Sequence, residues 1–194
     1  MAAVRPAAQL SAPAEGEAVR ARWVGWVAAA RYGDKSAFAS LHGHFAGMVH
    51  AIVVSRVSAS DAKDLVQDVF LVAMQRLSTL EDDAAFGGWL AQVARNRAAK
   101  HLRDAPKTAE LDDELPGHVP SDEAPDTRKV LKALRELPEA YRETLAMRLI
   151  EGLSGPEIAE RTGLTQGSVR VNLHRGMQQL KAALGLGREE GGAE

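Results

Sequence analysis

Residues 154–181 have the sequence SGPEIAERTGLTQGSVRVNLHRGMQQLK, which carries the start and turn signals of two successive helices. Ser154 and Glu157 have the spacing of a capping box, in which each side chain accepts a hydrogen bond from the other residue's backbone N–H. Gly163 can adopt the positive φ of a tight turn, and Thr165 is placed to cap the next helix. Two short helices joined by such a turn predict a helix-turn-helix.

The second of these helices has one apolar face and one basic face. The apolar face is predicted to be buried and consists of Val169, Leu173, Met177 and Leu180. Leu164, in the turn, is expected to enter the same core.

From Arg161 to Lys181 there are four Arg or Lys residues and no Asp or Glu. Arg pairs with guanine, Asn pairs with adenine, an apolar side chain packs on a thymine methyl group, and cations bind phosphates. We therefore predict a DNA-binding helix, with a solvated polar face as the alternative. The residues predicted to contact DNA are Ser168, Arg170, Val171, Asn172, His174 and Arg175.

Outside this stretch, every segment with clear hydrophobic periodicity also predicts a helix. The predicted helices begin near Val19, after Asp34 as an N-cap, after Ser60 and at Phe86, and two more lie between Arg128 and Gly152. No stretch alternates like a β-strand. The predicted fold class is therefore all-α, with two small helical domains.

The segment from Asp104 to Asp126 differs from both domains in charge and composition. It contains eight acidic residues against one Lys, a net charge of −7, and four Pro residues that discourage helix. Because the whole chain carries −2, the remainder carries +5. We interpret the segment as an acidic, Pro-rich linker that fixes no geometry between two separate modules. The predicted organisation is a flexible leader at 1–17, a first domain at 18–103, a linker at 104–127, a second domain at 128–183 and a flexible tail at 184–194.

The composition excludes several other classes of protein. Hydrophobic residues make up 45% of the 194 residues and charged residues 26%, as in a globular chain rather than a disordered one. The chain contains no Cys, which removes disulfides and thiolate zinc sites. The longest wholly apolar stretches, such as Ala51–Val54, are far below the ~20 residues that a membrane span needs, and the amino terminus lacks the apolar run of a signal peptide. We therefore expect a cytoplasmic protein without stable membrane insertion.

The first domain carries an acidic stripe and a basic cluster. The acidic stripe lies on one side of a predicted helix and consists of Asp61, Asp64, Gln67 and Asp68. Such a stripe suits docking on a basic partner surface, with a solvated face as the alternative. The basic cluster ends the domain and consists of Arg95, Asn96, Arg97, Lys100, His101 and Arg103. Phe86 and Trp89 suggest stacking platforms for bases, but their spacing to the following apolar residues predicts a core position.

Two sets of residues resemble conserved regions of the extracytoplasmic-function sigma factors, in the sigma-70 family. Residues 61–71, with the sequence DAKDLVQDVFL, resemble region two, the helix that docks on the RNA polymerase clamp. Residues 86–103 resemble the segment that opens the minus-ten promoter element. Residues 137–175 carry motifs similar to region four, which recognises the minus-thirty-five element. The resemblance covers roughly residues 34–103 and 128–183, in the family's order and split by a linker.

The resemblance implies a function, partners and a location. The chain would bind the clamp and flap of core RNA polymerase and direct promoter-specific initiation, performing no enzymatic chemistry and needing no metal or cofactor. The acidic stripe would contact polymerase, the basic cluster would capture the unwound minus-ten strand, and the last helix would read the minus-thirty-five element. An anti-sigma factor would mask both domains, so the chain would be a monomer or a heterodimer with that factor. It would lie in the cytoplasm, on the nucleoid when active, and at the membrane when its anti-sigma factor holds it there.

The chain departs from the family pattern in the last helix, and other functions remain open. Asn172 stands where the family often has Arg, and Gly176, where it usually has Ala, is expected to loosen the helix by about 1 kcal/mol. A stand-alone helix-turn-helix regulator would explain the second domain but not the acidic stripe, and a structural adaptor is a further alternative. A metalloprotein would use His42, His44, His50 and Asp61, but His42 and His44 are two apart and point to different sides of a helix.

Overall fold

The structure is a computed structural model that describes residues 15–104 and 125–186. Eight α-helices make up most of these residues. The first four are α1 (Glu15–Arg31), α2 (Lys35–Val54), α3 (Ala59–Arg76) and α4 (Phe86–Asp104). The other four are α5 (Pro125–Glu136), α6 (Glu139–Leu149), α7 (Gly155–Thr162) and α8 (Gln166–Ala183). Two short 3-10 turns, Leu77–Thr79 and Asp83–Ala85, connect α3 to α4. These described ranges contain no β-strand, so the all-α fold class is confirmed.

Helix α2 lies at the centre of the amino-terminal set, α1–α4. The carboxylate of Asp34 accepts hydrogen bonds from the backbone N–H groups of Ser36 and Ala37, as the predicted N-cap requires. The helix packs against α1, α3 and α4. Its fully buried side chains form the core of this set and include Leu41, Phe45, Met48 and Ile52.

Helix α2 is also the most apolar long helix in the described part of the chain. Its 20 residues have a mean hydropathy of 1.4, so by length and composition it is the one helix of the described chain that could cross a membrane. Half of that apolar window is buried inside the structure, as in the core helix of a globular protein. Its length of apolar sequence is not visible as an unbroken apolar run, because His44, Gly47 and His50 interrupt it.

The carboxy-terminal set, α5–α8, contains the predicted helix-turn-helix in α7 and α8. Ser154 and Glu157 form the capping box, Gly163 has a φ of 76°, and the Thr165 side chain caps α8, so all three local predictions are confirmed. Ile158 and Val169 are buried and hold the two helices together. The expectation for Leu164 was wrong, because its side chain is 41% exposed at the outside of the turn.

Three helix boundaries differ from the predicted ones. Helix α3 begins at Ala59 with Ser58 as its cap, rather than after Ser60. Helix α5 begins at Pro125, three residues before Arg128, because a Pro at the first helical position loses no intrahelical hydrogen bond. Helix α4 includes Asp104. The rest of the predicted linker, 105–124, and most of the predicted leader and tail lie outside the described residues.

Gly176 permits close packing between α6 and α8. A Cβ added there would lie 2.9 Å from Leu145 Cδ1 and 3.0 Å from Tyr141 Cβ, which is closer than normal van der Waals contact. From the sequence alone, this Gly was expected only to loosen the helix. Its absent side chain instead allows α8 to pack tightly on α6.

The two helical sets pack directly against each other, whereas the sequence predicted two separate modules. Helix α2 contacts α6 and α7, and α7 also contacts α1 and α4. Buried residues of both sets belong to one continuous core, in which Ile158, Leu145 and Met147 join the apolar residues of α2 and α4.

Candidate DNA and polymerase interfaces

The start of α8 is fixed by hydrogen bonds that present the helix to solvent. Thr165 Oγ1 accepts from the Ser168 backbone N–H at 3.1 Å, and the two hydroxyl oxygens lie 2.8 Å apart. In the preceding helix, hydrogen bonds from the Ser154 backbone N–H and hydroxyl hold the pKa of Glu157 below its ordinary value. The helix-turn-helix is therefore held at both of its helix starts by side-chain caps.

The outer face of α8 carries the six residues predicted to contact the minus-thirty-five element. The exposed members are Ser168, Arg170, Val171, His174 and Arg175, whereas Asn172 is half-buried. Val171 is 46% exposed between cations, where an isolated apolar side chain can meet a thymine methyl group. Five of the six predicted residues are therefore exposed to solvent on α8, and Asn172 is only partly so.

The acidic stripe of α3 is divided between solvent and α4. Asp64 and Gln67 are exposed. Asp68 instead forms an ion pair with Arg97 at 2.9 Å, and Asp61 lies 3.3 Å from the ring nitrogen of His101. Two residues predicted to bind polymerase therefore contact two residues predicted to bind DNA, so that α3 and α4 are joined through both predicted sites.

Two apolar side chains extend the exposed part of the acidic stripe. Leu71 is 53% exposed and Met74 is 54% exposed. They follow Gln67 at four- and seven-residue spacing, which places them on the same side of α3. Neither Leu71 nor Met74 is among the residues predicted from the sequence to bind polymerase, although this spacing was the available signal. Exposed apolar residues beside charged ones are typical of protein–protein interfaces.

The basic cluster does not form one continuous surface. Asn96, Lys100 and Arg103 are exposed on α4. Arg97 and His101 are paired with α3, as described above. Arg95 points to the carboxy-terminal set, where its Nε and Nη2 atoms lie 2.8 and 2.7 Å from the carboxylate oxygens of Glu143. These hydrogen bonds raise the pKa of Arg95 against the opposing effect of burial, so its charge is fixed in place.

The aromatic pair at the start of α4 is divided between core and surface. Phe86 is fully buried, and its ring lies 5.2 Å from that of Phe45. Trp89 is half-buried with its ring 5.8 Å from Phe86. It lines an open cavity of about 540 Å³ between α1, α4 and α7, to which Trp23 and Arg161 also contribute. The core position predicted for Phe86 is confirmed, and Trp89 lies at the edge of the hydrophobic core.

The histidines considered as metal ligands have structural contacts. His42 packs on Phe70 with ring centroids 4.3 Å apart. His44 Nε2 lies 3.1 Å from Glu160, and His50 Nδ1 lies 2.5 Å from Glu151. Among residues 15–104 and 125–186, no three His, Cys, Asp or Glu side chains are grouped as a metal site would require.

Comparison with known proteins assigns a family to this pair of helical sets. The family model for Sigma-70 region 2 matches residues 41–108, and the model for Sigma-70 region 4 matches residues 127–180. The RNA polymerase sigma factor CarQ of Myxococcus xanthus is 31% identical over 162 residues, which cover 80% of this chain and 93% of CarQ. The chain belongs to the sigma-70 family of RNA polymerase sigma factors. The extracytoplasmic-function sigma factor BldN of Streptomyces coelicolor is 29% identical over 175 residues, covering 84% of this sigma factor and 66% of BldN.

A solved structure has the same fold as this sigma factor. CnrH, in complex with the cytosolic domain of CnrY, is 26% identical with a TM-score of 0.56, and the match covers 84% of this chain and 96% of CnrH. The region 2 match includes α3 and α4, and the region 4 match covers most of α5–α8. The resemblance found in the sequence to the extracytoplasmic-function class is thereby confirmed, and this sigma factor is a transcription initiation factor.

Proposed function

We propose that this sigma factor docks on core RNA polymerase through α3, captures the melted minus-ten strand with α4 and reads the minus-thirty-five element with α8. The observation that carries this proposal is the separation of two exposed faces of different chemistry. One face, on α3, combines carboxylates with apolar side chains. The other face, on α8, is basic.

Asp64, Gln67, Leu71 and Met74 are the proposed centre of the polymerase contact. They are exposed, and they share one side of α3. Asp61 and Asp68 join this contact when their pairs with α4 open. The carboxy-terminal set binds the polymerase flap, as family membership implies.

The exposed residues of the basic cluster are the proposed first contacts with the minus-ten strand. Asn96, Lys100 and Arg103 are exposed on one helix, where cations can follow a phosphate backbone. Removing a base from the duplex stack costs a few kcal/mol, which contacts to the base and the phosphates must supply. Arg95, Arg97 and His101 add to this surface once their present partners release them.

On α8, Arg170, Val171, His174 and Arg175 are the proposed base and groove contacts, with Ser168 and Asn172 at the border. An Arg that reads a guanine contributes about 1–3 kcal/mol of discrimination. A phosphate contact would instead weaken binding to all sequences alike.

Regulation and location follow from the family. We infer that an anti-sigma factor masks both helical sets, and that the protein is a cytoplasmic monomer or a heterodimer with that factor. It joins the nucleoid when it is active. It is held at the membrane when its anti-sigma factor is itself anchored there. The sigma factor itself is proposed to catalyse no reaction and to need no metal or cofactor.

Run-off transcription with core RNA polymerase tests the proposal. We expect promoter-dependent transcripts only when the sigma factor is added, and loss of these transcripts when Arg170 and Arg175 are both changed to Ala. Changing the exposed Lys181 to Ala, at the far end of α8, is the matched control. Failure to capture core polymerase at low salt, with sequence-specific DNA binding retained, would indicate a stand-alone helix-turn-helix regulator.

A further inference from the structure

The segment between α3 and α4 is anchored in the core over its first half only. We call residues 77–85 the connector. The side chains of Leu77 and Leu80 are buried, whereas residues 81–85 contain no buried side chain. Within this second half, the Asp82 carboxylate accepts a hydrogen bond from the backbone N–H of Ala84 at 2.9 Å. Such a local bond fixes the shape of a turn but not its position relative to the helices, so another element must hold the second half in place.

Two arginines of α1 bind the connector. Arg31 Nη2 lies 2.7 Å from the carboxylate of Asp83 and donates a hydrogen bond to the backbone carbonyl oxygen of Leu80. Arg20 donates a hydrogen bond to the backbone carbonyl oxygen of Ala84 at 3.3 Å. The two arginines are 11 residues apart, which is about three helical turns, so they lie on the same side of α1. Helix α1 therefore holds the connector at three of its residues.

The carboxylate of Asp83 depends on Arg31 for its position. The Asp83 side chain is 23% exposed, and its Oδ1 atom is buried and accepts no aligned hydrogen bond from the described residues. A buried carboxylate oxygen is costly unless an opposite charge lies beside it, and Arg31 supplies that charge. Removing Arg31 should therefore release Asp83 toward water, together with the second turn of the connector.

The connector leads directly into α4, so its position determines where α4 begins. Its second turn, Asp83–Ala85, ends at the residue before Phe86, and the backbone N–H of Phe86 donates a hydrogen bond to the carbonyl oxygen of Asp83. A binding surface is effective only when supporting contacts hold it to within about 0.5 Å. The contacts of α1 with Asp83 and Ala84 provide such support at the start of α4.

Helix α1 lies outside the region 2 match. That match begins at residue 41, ten residues after Arg31, which ends α1. The residues predicted from the sequence to bind DNA or polymerase also include none from α1. Its contacts with the connector therefore point to a contribution that the matched regions do not describe.

We propose that Arg31, assisted by Arg20, is a positioning residue for promoter melting. From α1 it holds the connector in place, and it thereby fixes the start of the helix that captures the melted minus-ten strand. The effect on melting rests on the function proposed above for α4. The hold of α1 on the connector does not.

Run-off transcription on two templates tests the positioning role. Both carry a promoter that the unchanged sigma factor transcribes, and in one of them mismatches leave the minus-ten bases unpaired. Arg31→Ala should transcribe the paired template about tenfold less well than the parent, because weakened capture no longer offsets the cost of unstacking. It should transcribe the unpaired template at nearly the parent's rate. An equal loss on both templates would indicate a general stabiliser of the fold and would overturn the proposal, as would an unchanged rate on both.

Arg22→Ala is the matched control for Arg31→Ala. Arg22 is exposed on the same helix, and its position two residues after Arg20 places it on the other side of α1. The control should transcribe both templates as the parent does, and both variants should bind core polymerase with the parent's affinity. A similar loss in Arg22→Ala, or a loss of polymerase binding in Arg31→Ala, would contradict the positioning role.

Hydrogen exchange of the free sigma factor measures the hold of α1 on the connector without polymerase or promoter. Arg31→Ala should speed the exchange of backbone N–H groups in residues 80–89 about tenfold while leaving α2 and α3 protected, because only local opening becomes easier. Arg22→Ala should leave it unchanged. Unchanged exchange in a folded Arg31→Ala protein would overturn the proposal. The expected exchange pattern in a sigma factor that yields no transcript would instead disprove only the proposed function.

Asp83→Asn is a second variant that removes the ion pair without changing α1, and it keeps the test decisive if Arg31→Ala fails to fold. It should speed the same exchange by a smaller factor, about threefold, because the hydrogen bond from Arg31 to the Leu80 carbonyl remains. Glu81→Gln, at an exposed neighbouring carboxylate, should have no effect. Arg31→Ala should also change exchange less in the Asp83→Asn background than in the parent, since the two residues share one contact. Fully independent effects, or unchanged exchange in Asp83→Asn, would contradict the proposed contact.

Discussion

Glu157 stabilises the start of α7 through its charge as well as its geometry. Its carboxylate accepts from the backbone N–H of Ser154 at 2.8 Å and from the hydroxyl of the same residue at 2.7 Å. Both bonds favour the ionised form, which is why the pKa of Glu157 is lowered. A helix N-terminus favours negative charge in the same position.

This lowered pKa predicts a pH-dependent effect of Glu157→Gln. A carboxyl whose folded pKa is depressed stabilises the fold above its ordinary pKa, and the contribution is lost as the pH falls through the folded value. The variant should therefore be less stable than the parent at neutral pH and similar to it in strong acid. Urea unfolding at both pH values measures this, with Glu136→Gln as the control, and a pH-independent difference would count against the capping box.

At the scale of single elements, Gly176 predicts that α8 tolerates no larger residue on its α6 side. Gly176→Ala gains about 1 kcal/mol of helix propensity but overpacks the contact with Leu145 and Tyr141, which costs about 1–3 kcal/mol. We expect a net loss of stability in urea unfolding. Gly167→Ala, in the same helix, is the control because its Cβ would lie 3.9 Å from the nearest side chain. Equal stabilisation by both changes would show that the contact is not tight.

The exposed apolar residues of α3 predict a polymerase-binding defect without a folding defect. Leu71→Ser and Met74→Ser together should weaken binding to core polymerase about tenfold, which corresponds to about 1.4 kcal/mol. Leu102→Ser on α4 is the matched control, since Leu102 is 54% exposed, as Met74 is. Binding titrations with labelled sigma factor measure the three affinities. A similar loss of affinity in the double variant and in Leu102→Ser would contradict the special role of α3.

The elements that the sequence predicted well are those with local signals. The capping box, Gly163 and the Asp34 cap each depend on residues within four positions of one another, so their spacing is sufficient. Leu164 was misplaced because helical periodicity cannot tell which apolar residues the neighbouring helices cover. Gly176 was misjudged for the same reason, since its neighbours lie on α6.

At the scale of the whole molecule, the length of the segment between the two sets predicts how far they can separate. Deleting residues 109–120 leaves eight residues between Asp104 and Pro125, with a reach of about 30 Å at most. Transcription from a promoter with both elements should fall at least tenfold, while binding to core polymerase persists. A Gly/Ser replacement of equal length should restore transcription. Full activity of the deletion variant would contradict the need for separation.

The contact between the two sets could not be predicted from the sequence. Arg95 and Glu143 are 48 residues apart, and nothing in either local pattern indicates that they meet. The sequence placed Arg95 in a basic cluster, which suggested DNA as its partner. Only the packing of α2 and α4 on α6 and α7 shows that Arg95 is paired with the Glu143 carboxylate of the same chain.

The central position of α2 has a consequence for the synthesis of the protein. The helix is covered partly by α6, which begins about 85 residues later in the chain. At a translation rate of roughly 5–20 residues per second, an apolar side of α2 emerges from the ribosome several seconds before its partner exists. The nascent chain must therefore shield this surface with α1, α3 and α4 alone, or with a chaperone, until the carboxy-terminal half has been made.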